Sequence, residues 1–179
     1  MKRLTRFSAY GIGAVALLIV GVLAVGAMIP ADHVASASAR YAQPAESIWE
    51  AIVDYEAFPA WRSSVDRVEP LTPADGATGW IEHGSTGPMP LAVEEEVSPR
   101  RLVLRIASDQ LPFGGTWTYE LEDDGDGSRL TITENGTVTN LFFRFMSRFV
   151  FGHTATIETY LVDLGAKFGE QTAPTVAAR

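Results

Sequence analysis

In the stretch "RLTITENGTVTN", residues 129–140, strand alternation puts Glu134 on the face that also carries Leu130, Ile132, Gly136 and Val138. An ionised carboxylate among apolar side chains is costly, so it must find a partner, meet water or take up a proton. Such a group is a candidate general acid or base, which makes Glu134 the candidate catalytic residue. Its structural alternative is a place near the mouth of the fold, solvated or paired with an arginine such as Arg105 or Arg144. Glu95, between Val93 and Val97, raises the same question, and two converging carboxylates would supply acid and base together.

Other chemistries find little support. There is no cysteine, which removes disulfides, thiolate catalysis, zinc–thiolate sites and a lipidated cysteine. His33, His83 and His153 are too scattered in sequence to suggest a metal site, though folding could bring them together; neither His83 nor His153 has a visible nucleophile beside it, and no metal and no cofactor are expected. His83 reads as an exposed strand end and His153 as a helix-start residue. "EDDGDGS" begins like a calcium loop, but the required closing glutamate is Thr133 and no helices flank it. "HGSTG" lacks the glycine two before Ser85 that a nucleophile elbow needs, and "PFGGT" has no lysine after its glycines for a phosphate loop. Asn135-Gly136-Thr137 is a glycosylation sequon, relevant only in a host that uses it.

The elements that would position Glu134 follow from periodicity. "HVASASARYA" alternates as a strand, and "QPAESIWEAIVDYEAFPAW" reads as a helix starting near Pro44 followed by a second helical turn. From Val65 to Val138 the pattern is strand, turn, strand. Six strands lie there, "VDRVEPL", "WIEH", "LAVEEEV", "RLVLRIA", "GTWTYELE" and "RLTITENGTV", which makes seven with the first. Asn135-Gly136 is a two-residue hairpin signal, but a turn there would move Val138 to the threonine face, so parity favours one continuous strand with Gly136 at a bulge or close approach. "NLFFRFMSRFVFG" is a short aromatic helix with Arg144 and Arg148 one turn apart. Thr154 then opens a longer helix with Ile157, Tyr160, Leu161, Leu164 and Phe168 on one stripe, and "QTAPTVAAR" is a loose tail.

Residues 7–31 carry no charge, and Tyr10 to Ile29 is 20 residues long, enough to cross about 30 Å of hydrocarbon as a helix. Lys2, Arg3 and Arg6 precede it, so the expectation is a single-pass membrane protein with its N-terminus cytoplasmic and its domain outside. The alternative is export after signal cleavage at Ala35-Ser36-Ala37 or Ala37-Ser38-Ala39, against which stands an apolar run longer than signal peptides use. The chain thus divides into a stub and transmembrane helix over 1–31, a domain over 32–170 and a flexible tail over 171–179. All 22 acidic residues lie beyond Pro30 with 11 of the 14 basic ones, so the domain carries about −11 and nucleic acid is a poor partner.

"PAESIWEAIVDYEAFPAW", "PFGGTWTYEL", "GSRLTITENGTV" and "FRFMSRFVFGHTATIETYLVDLGAKFGE" resemble the START-like (SRPBCC) superfamily, especially its polyketide cyclase/dehydratase and lipid-transport group, over about residues 33–170. The resemblance implies an α+β helix-grip fold, a curved antiparallel sheet of about seven strands wrapped around a long C-terminal helix with a hydrophobic cavity between them. Trp80, Glu95, Trp117, Tyr119, Glu134 and Tyr160 would then line the cavity as ligand-binding residues, although large aromatics also fill ordinary cores. The expected partner is a hydrophobic small molecule or lipid, held by a membrane-anchored binding domain. Two other readings stay open. One is a cyclase/dehydratase-type enzyme using Glu134 as acid or base. The other is an envelope interaction module using the acidic runs Glu94-Glu95-Glu96 and Glu122-Asp123-Asp124.

Overall fold

The alternation of "HVASASARY" becomes strand β1, Asp32–Tyr41, in a computed structural model that describes residues 2–73, 75–85, 87–152 and 154–177. On its inner face Ala35, Ala37, Ala39 and Tyr41 are buried. Three alanines in a row leave room for a helix to lie close to the sheet, and the last helix does so. Helix α2, Ala45–Val53, starts directly after Pro44 and buries Ile48, Trp49 and Ile52. A 3₁₀ turn, Tyr55–Ala60, follows and buries Phe58.

Strands β2 (Arg67–Leu71), β3 (Gly79–Gly84), β4 (Gly87–Val97), β5 (Arg101–Ile106), β6 (Phe113–Asp124) and β7 (Gly127–Val138) then form an antiparallel meander. After β7 come α3 (Leu141–Met146), a π-helical turn (Ser147–Phe151), α4 (Ala155–Lys167) and a two-residue strand β8 (Thr175–Val176). The sheet order is β2-β3-β4-β5-β6-β7-β1-β8. It has eight strands rather than seven, because Thr175 and Val176, read from sequence as loose tail, pair with Ser38 and Ala37.

β7 runs unbroken through Asn135-Gly136, as side-chain parity requires. Gly136 lies between Gly115 on β6 and His33 on β1. A Cβ at Gly136 would run into the imidazole of His33, so the glycine marks a close approach. α4 lies across the concave face, with Ile157, Tyr160, Leu161 and Leu164 buried in one core cluster with residues of the sheet and α2. The hydroxyl of Tyr41 donates to the carbonyl of Leu161 at 2.9 Å, which fixes the helix over β1.

Helix α1, Lys2–Met28, precedes the domain. Among the described residues no helix is long and apolar enough to cross a membrane, so the expected transmembrane span is not found there.

Candidate functional site

On the inner face of β3, Trp80 and Glu82 are two residues apart and point the same way. The Nε1 of Trp80 donates to Oε1 of Glu82 at 3.2 Å, and Nη1 of Arg62 reaches the same oxygen at 2.5 Å. Both members of this ion pair are nearly sealed from solvent. Arg62 also lies over the rings of Phe58 and Tyr160, each 4.8 Å from the guanidinium carbon. Burial is the largest influence and works against its charge, but Glu82, Tyr160 and Tyr119 together hold its pKa above the ordinary arginine value. A buried charge of this kind persists only because it is paired.

Aromatic rings complete the box. Tyr55 stacks on Trp80 at 4.6 Å, Trp61 meets Tyr160 edge-on at 5.5 Å, and Tyr119 meets Tyr160 at the same distance. Burial raises the pKa of both tyrosines, so their phenols stay protonated and act as neutral hydrogen-bonding groups. Two donors in the box have no protein partner among the described residues, the indole N–H of Trp61 and the Nε–H of Arg62. A buried donor left unmatched costs about 1–3 kcal/mol, so an acceptor oxygen that reached either group would relieve that cost.

Glu134 lies on the inner face beside Trp117, its register partner, at the edge of the box. Its Oε1 is 3.4 Å from Nε2 of His33. Burial raises its pKa and His33 opposes the rise. Neither arginine named from sequence is its partner. Arg105 pairs with Asp75 across a surface turn, and Arg144 donates to the carbonyls of Val138, Thr139 and Ile29.

Residues 32–157 match the family model described as polyketide cyclase / dehydrase and lipid transport. The chain belongs to this polyketide cyclase and lipid-transport family. Solved structures agree on the fold. A START superfamily protein from Mycobacterium smegmatis is 17% identical with a TM-score of 0.59, covering 75% of this chain and 96% of that one. The Zhui aromatase/cyclase from Streptomyces sp. R1128 is 12% identical with a TM-score of 0.58, covering 76% and 93%. A protein from Thermobifida fusca is 17% identical with a TM-score of 0.58, also covering 76% and 93%. No curated protein matches the chain. Family and fold support a ligand-binding or cyclase-type domain of the START-like kind.

Within this family domain the six residues picked from sequence separate. Trp80, Tyr119 and Tyr160 are buried in the box, and Trp117 packs against it partly buried. Glu95 does not join them. A bulge between Val93 and Glu95 shifts the register of β4, so Glu95 pairs with Val103, whose row continues to Thr118 and Thr133 on the outer face. It is exposed there and receives a hydrogen bond from Arg101 at 3.1 Å, so the two carboxylates do not converge.

His33, Trp61, Arg62 and Glu82 were not picked out. Glu82 was accessible, since it stands two residues after Trp80 in a recognised strand. Arg62 and Trp61 sit just past the 3₁₀ turn, where no periodicity aims a side chain. His83 lies 3.1 Å from Glu69 and is only partly exposed, and His153 lies outside the described residues. Among the described residues no group of acidic and histidine side chains is arranged to hold a metal. The acidic runs are also matched in part, Asp123 by Arg100 and Asp124 by Arg129, so the outer surface is less starkly anionic than its sequence.

Proposed function

We propose that this is a membrane-tethered, non-catalytic binding domain for a hydrophobic small molecule or lipid, held between the concave sheet and α4. The observation that carries this reading is the pair of unmatched N–H donors, Trp61 and Arg62, inside a box of aromatic rings. Rings favour an apolar body, and an unmatched N–H favours an oxygen on it. The preferred ligand is therefore largely hydrocarbon with a carbonyl, carboxyl or hydroxyl oxygen at the end that enters first. Support for the tether comes from the uncharged 25-residue stretch after Lys2, Arg3 and Arg6, which on this reading leaves the N-terminus cytoplasmic and the domain outside. A reporter fused after Arg179 that works only outside the cytoplasm tests that topology by being active.

The binding test uses residues 30–179, purified, extracted with organic solvent and then offered fatty acid, sterol and isoprenoid probes. A defined co-purifying molecule or saturable binding of one probe class is expected. An extract without ligand together with no response to all three classes overturns the reading.

A second reading, an enzyme of cyclase or dehydratase type, is favoured by one observation, the contact of Glu134 with His33 beside Trp117. A carboxyl group whose pKa is raised by burial and opposed by an imidazole is suited to proton transfer. Glu134→Gln, which keeps size and removes titration, separates the two readings: binding survives it in the first and turnover is abolished in the second.

A further inference from the structure

We propose that α3 and the π-helical turn after it form a lipid-docking element that lies in the bilayer leaflet on the domain's side, next to the end of α1. The idea rests on the tether reading for the nearness of a bilayer. Its own evidence is separate. α3 buries none of its side chains. Phe142 and Phe143 are 48% and 44% exposed, and Phe149 and Val150 in the turn are 61% and 57% exposed. Four large apolar groups in one short segment form a patch of the kind that marks an interaction surface.

Charge decides which partner fits. The domain beyond Pro30 is strongly acidic, yet residues 141–152 contain no acidic residue and two arginines, Arg144 and Arg148. Apolar rings bordered by cations suit the boundary between acyl chains and phosphate headgroups. Arg148 lies 6.0 Å from the ring of Phe149, so a cation borders the most exposed of the apolar groups.

Position supplies the third argument. A Cβ on Gly26 of α1 would collide with the carbonyl of Leu141, so the two helices touch backbone to backbone. Arg144 then bridges them, with Nε donating to the carbonyl of Val138 at 2.6 Å and Nη1 to that of Ile29 at 3.4 Å. Gly26 is two residues before Met28, where α1 ends, or about 3 Å along the helix, so α3 sits level with the end of the apolar stretch. The apolar surface of α1, exposed at Leu18, Val25 and Met28, thus continues onto α3. A cleft of about 300 Å³ between Ile29, His33, Val138, Arg144 and Arg148 lies at the same junction.

The absence of cysteine makes the test clean. Single variants Phe149→Cys, Phe143→Cys, Leu18→Cys and Val97→Cys of the full chain are labelled with nitrobenzoxadiazole. They are reconstituted into phosphatidylcholine–phosphatidylglycerol vesicles carrying lipids spin-labelled either near the headgroup, to read Phe149, Phe143 and Val97, or deep in the acyl chain, to read Leu18. The Phe149 and Phe143 labels are expected to be quenched at least twofold more than the Val97 label, which reports an exposed strand end. If they match Val97 while Leu18 is quenched, docking is overturned and the anchor stands. If Leu18 is unquenched but Phe149 is quenched, docking stands and the anchor falls, and if neither is quenched both fall. Blue-shifted but unquenched labels at Phe143 and Phe149 mean that protein, such as a second copy, covers the patch, which also overturns the proposal.

Discussion

His33 on β1 and Glu134 on β7 meet at 3.4 Å across the seam between the two strands, over a glycine that leaves their side chains room. Burial raises the carboxyl pKa of Glu134 and His33 pulls it back, so the folded state binds this proton more tightly than the unfolded chain does. The stability this gives is complete below the ordinary carboxyl range and is lost as pH rises through the folded value. Glu134→Gln is therefore expected to raise the melting temperature near neutral pH and to leave it unchanged at about pH 3. Thermal melts of both proteins across pH check this. A lower melting temperature for the variant at neutral pH would show that the His33 contact outweighs burial.

Arg62 and Glu82 form a nearly sealed ion pair. Arg62→Met leaves Glu82 with only the Trp80 indole as partner and is expected to cost about 3–5 kcal/mol. Adding Glu82→Leu should restore most of that, because the uncompensated charge is removed as well. Urea unfolding of the two single variants and the double variant measures the coupling directly, and simple additivity would contradict the pairing argument.

Gly115 has φ +132, and a Cβ there would meet the carbonyl of Asn135 and, at 2.9 Å, the Cα of Gly136. Backbone cannot swing aside, so Gly115→Ala is expected to cost about 1–3 kcal/mol. Gly136→Ala meets mainly the His33 ring, which can rotate, and should cost less. It should nonetheless move the His33 ring off Glu134, visible by NMR as changed imidazole chemical shifts.

Trp61→Phe keeps a ring against Tyr160 and removes the unmatched N–H. Affinity for an oxygen-bearing hydrophobic probe should fall about three- to tenfold, as loss of one net hydrogen bond of about 0.5–1.5 kcal/mol requires. Affinity for the matching hydrocarbon should hold. Fluorescence titration of the two probes measures the difference, and equal losses for both would assign the indole to packing alone.

The strands and helices were legible because alternation and helical spacing are local, and the parity of Leu130, Ile132 and Val138 alone predicted an unbroken β7. The inward place of Trp80, Tyr119 and Tyr160 followed from the resemblance to a helix-grip fold. Glu95 was misplaced because a single extra residue in β4 inverts every side chain beyond it, and no residue type in "LAVEEEV" announces a bulge. The partner of Glu134 was illegible for a different reason. It lies 101 residues away in a strand whose neighbour is set by sheet order. Arg62 was missed because it leaves a loop, and only the tertiary packing of Phe58 and Tyr160 decides where it points.

The short strand β8 gives the sheet a property that its core does not. One rim of the sheet is β2, where Pro70 offers no N–H, and the other would be the free side of β1. There Thr175 and Val176 pair with Ser38 and Ala37, and the N–H of Ala177 donates to the carbonyl of Ser36 at 3.0 Å. A bare rim is a template onto which another chain can add a strand and begin to aggregate. With a proline in one rim and Thr175 and Val176 laid over the middle of the other, part of each edge is withheld from such pairing.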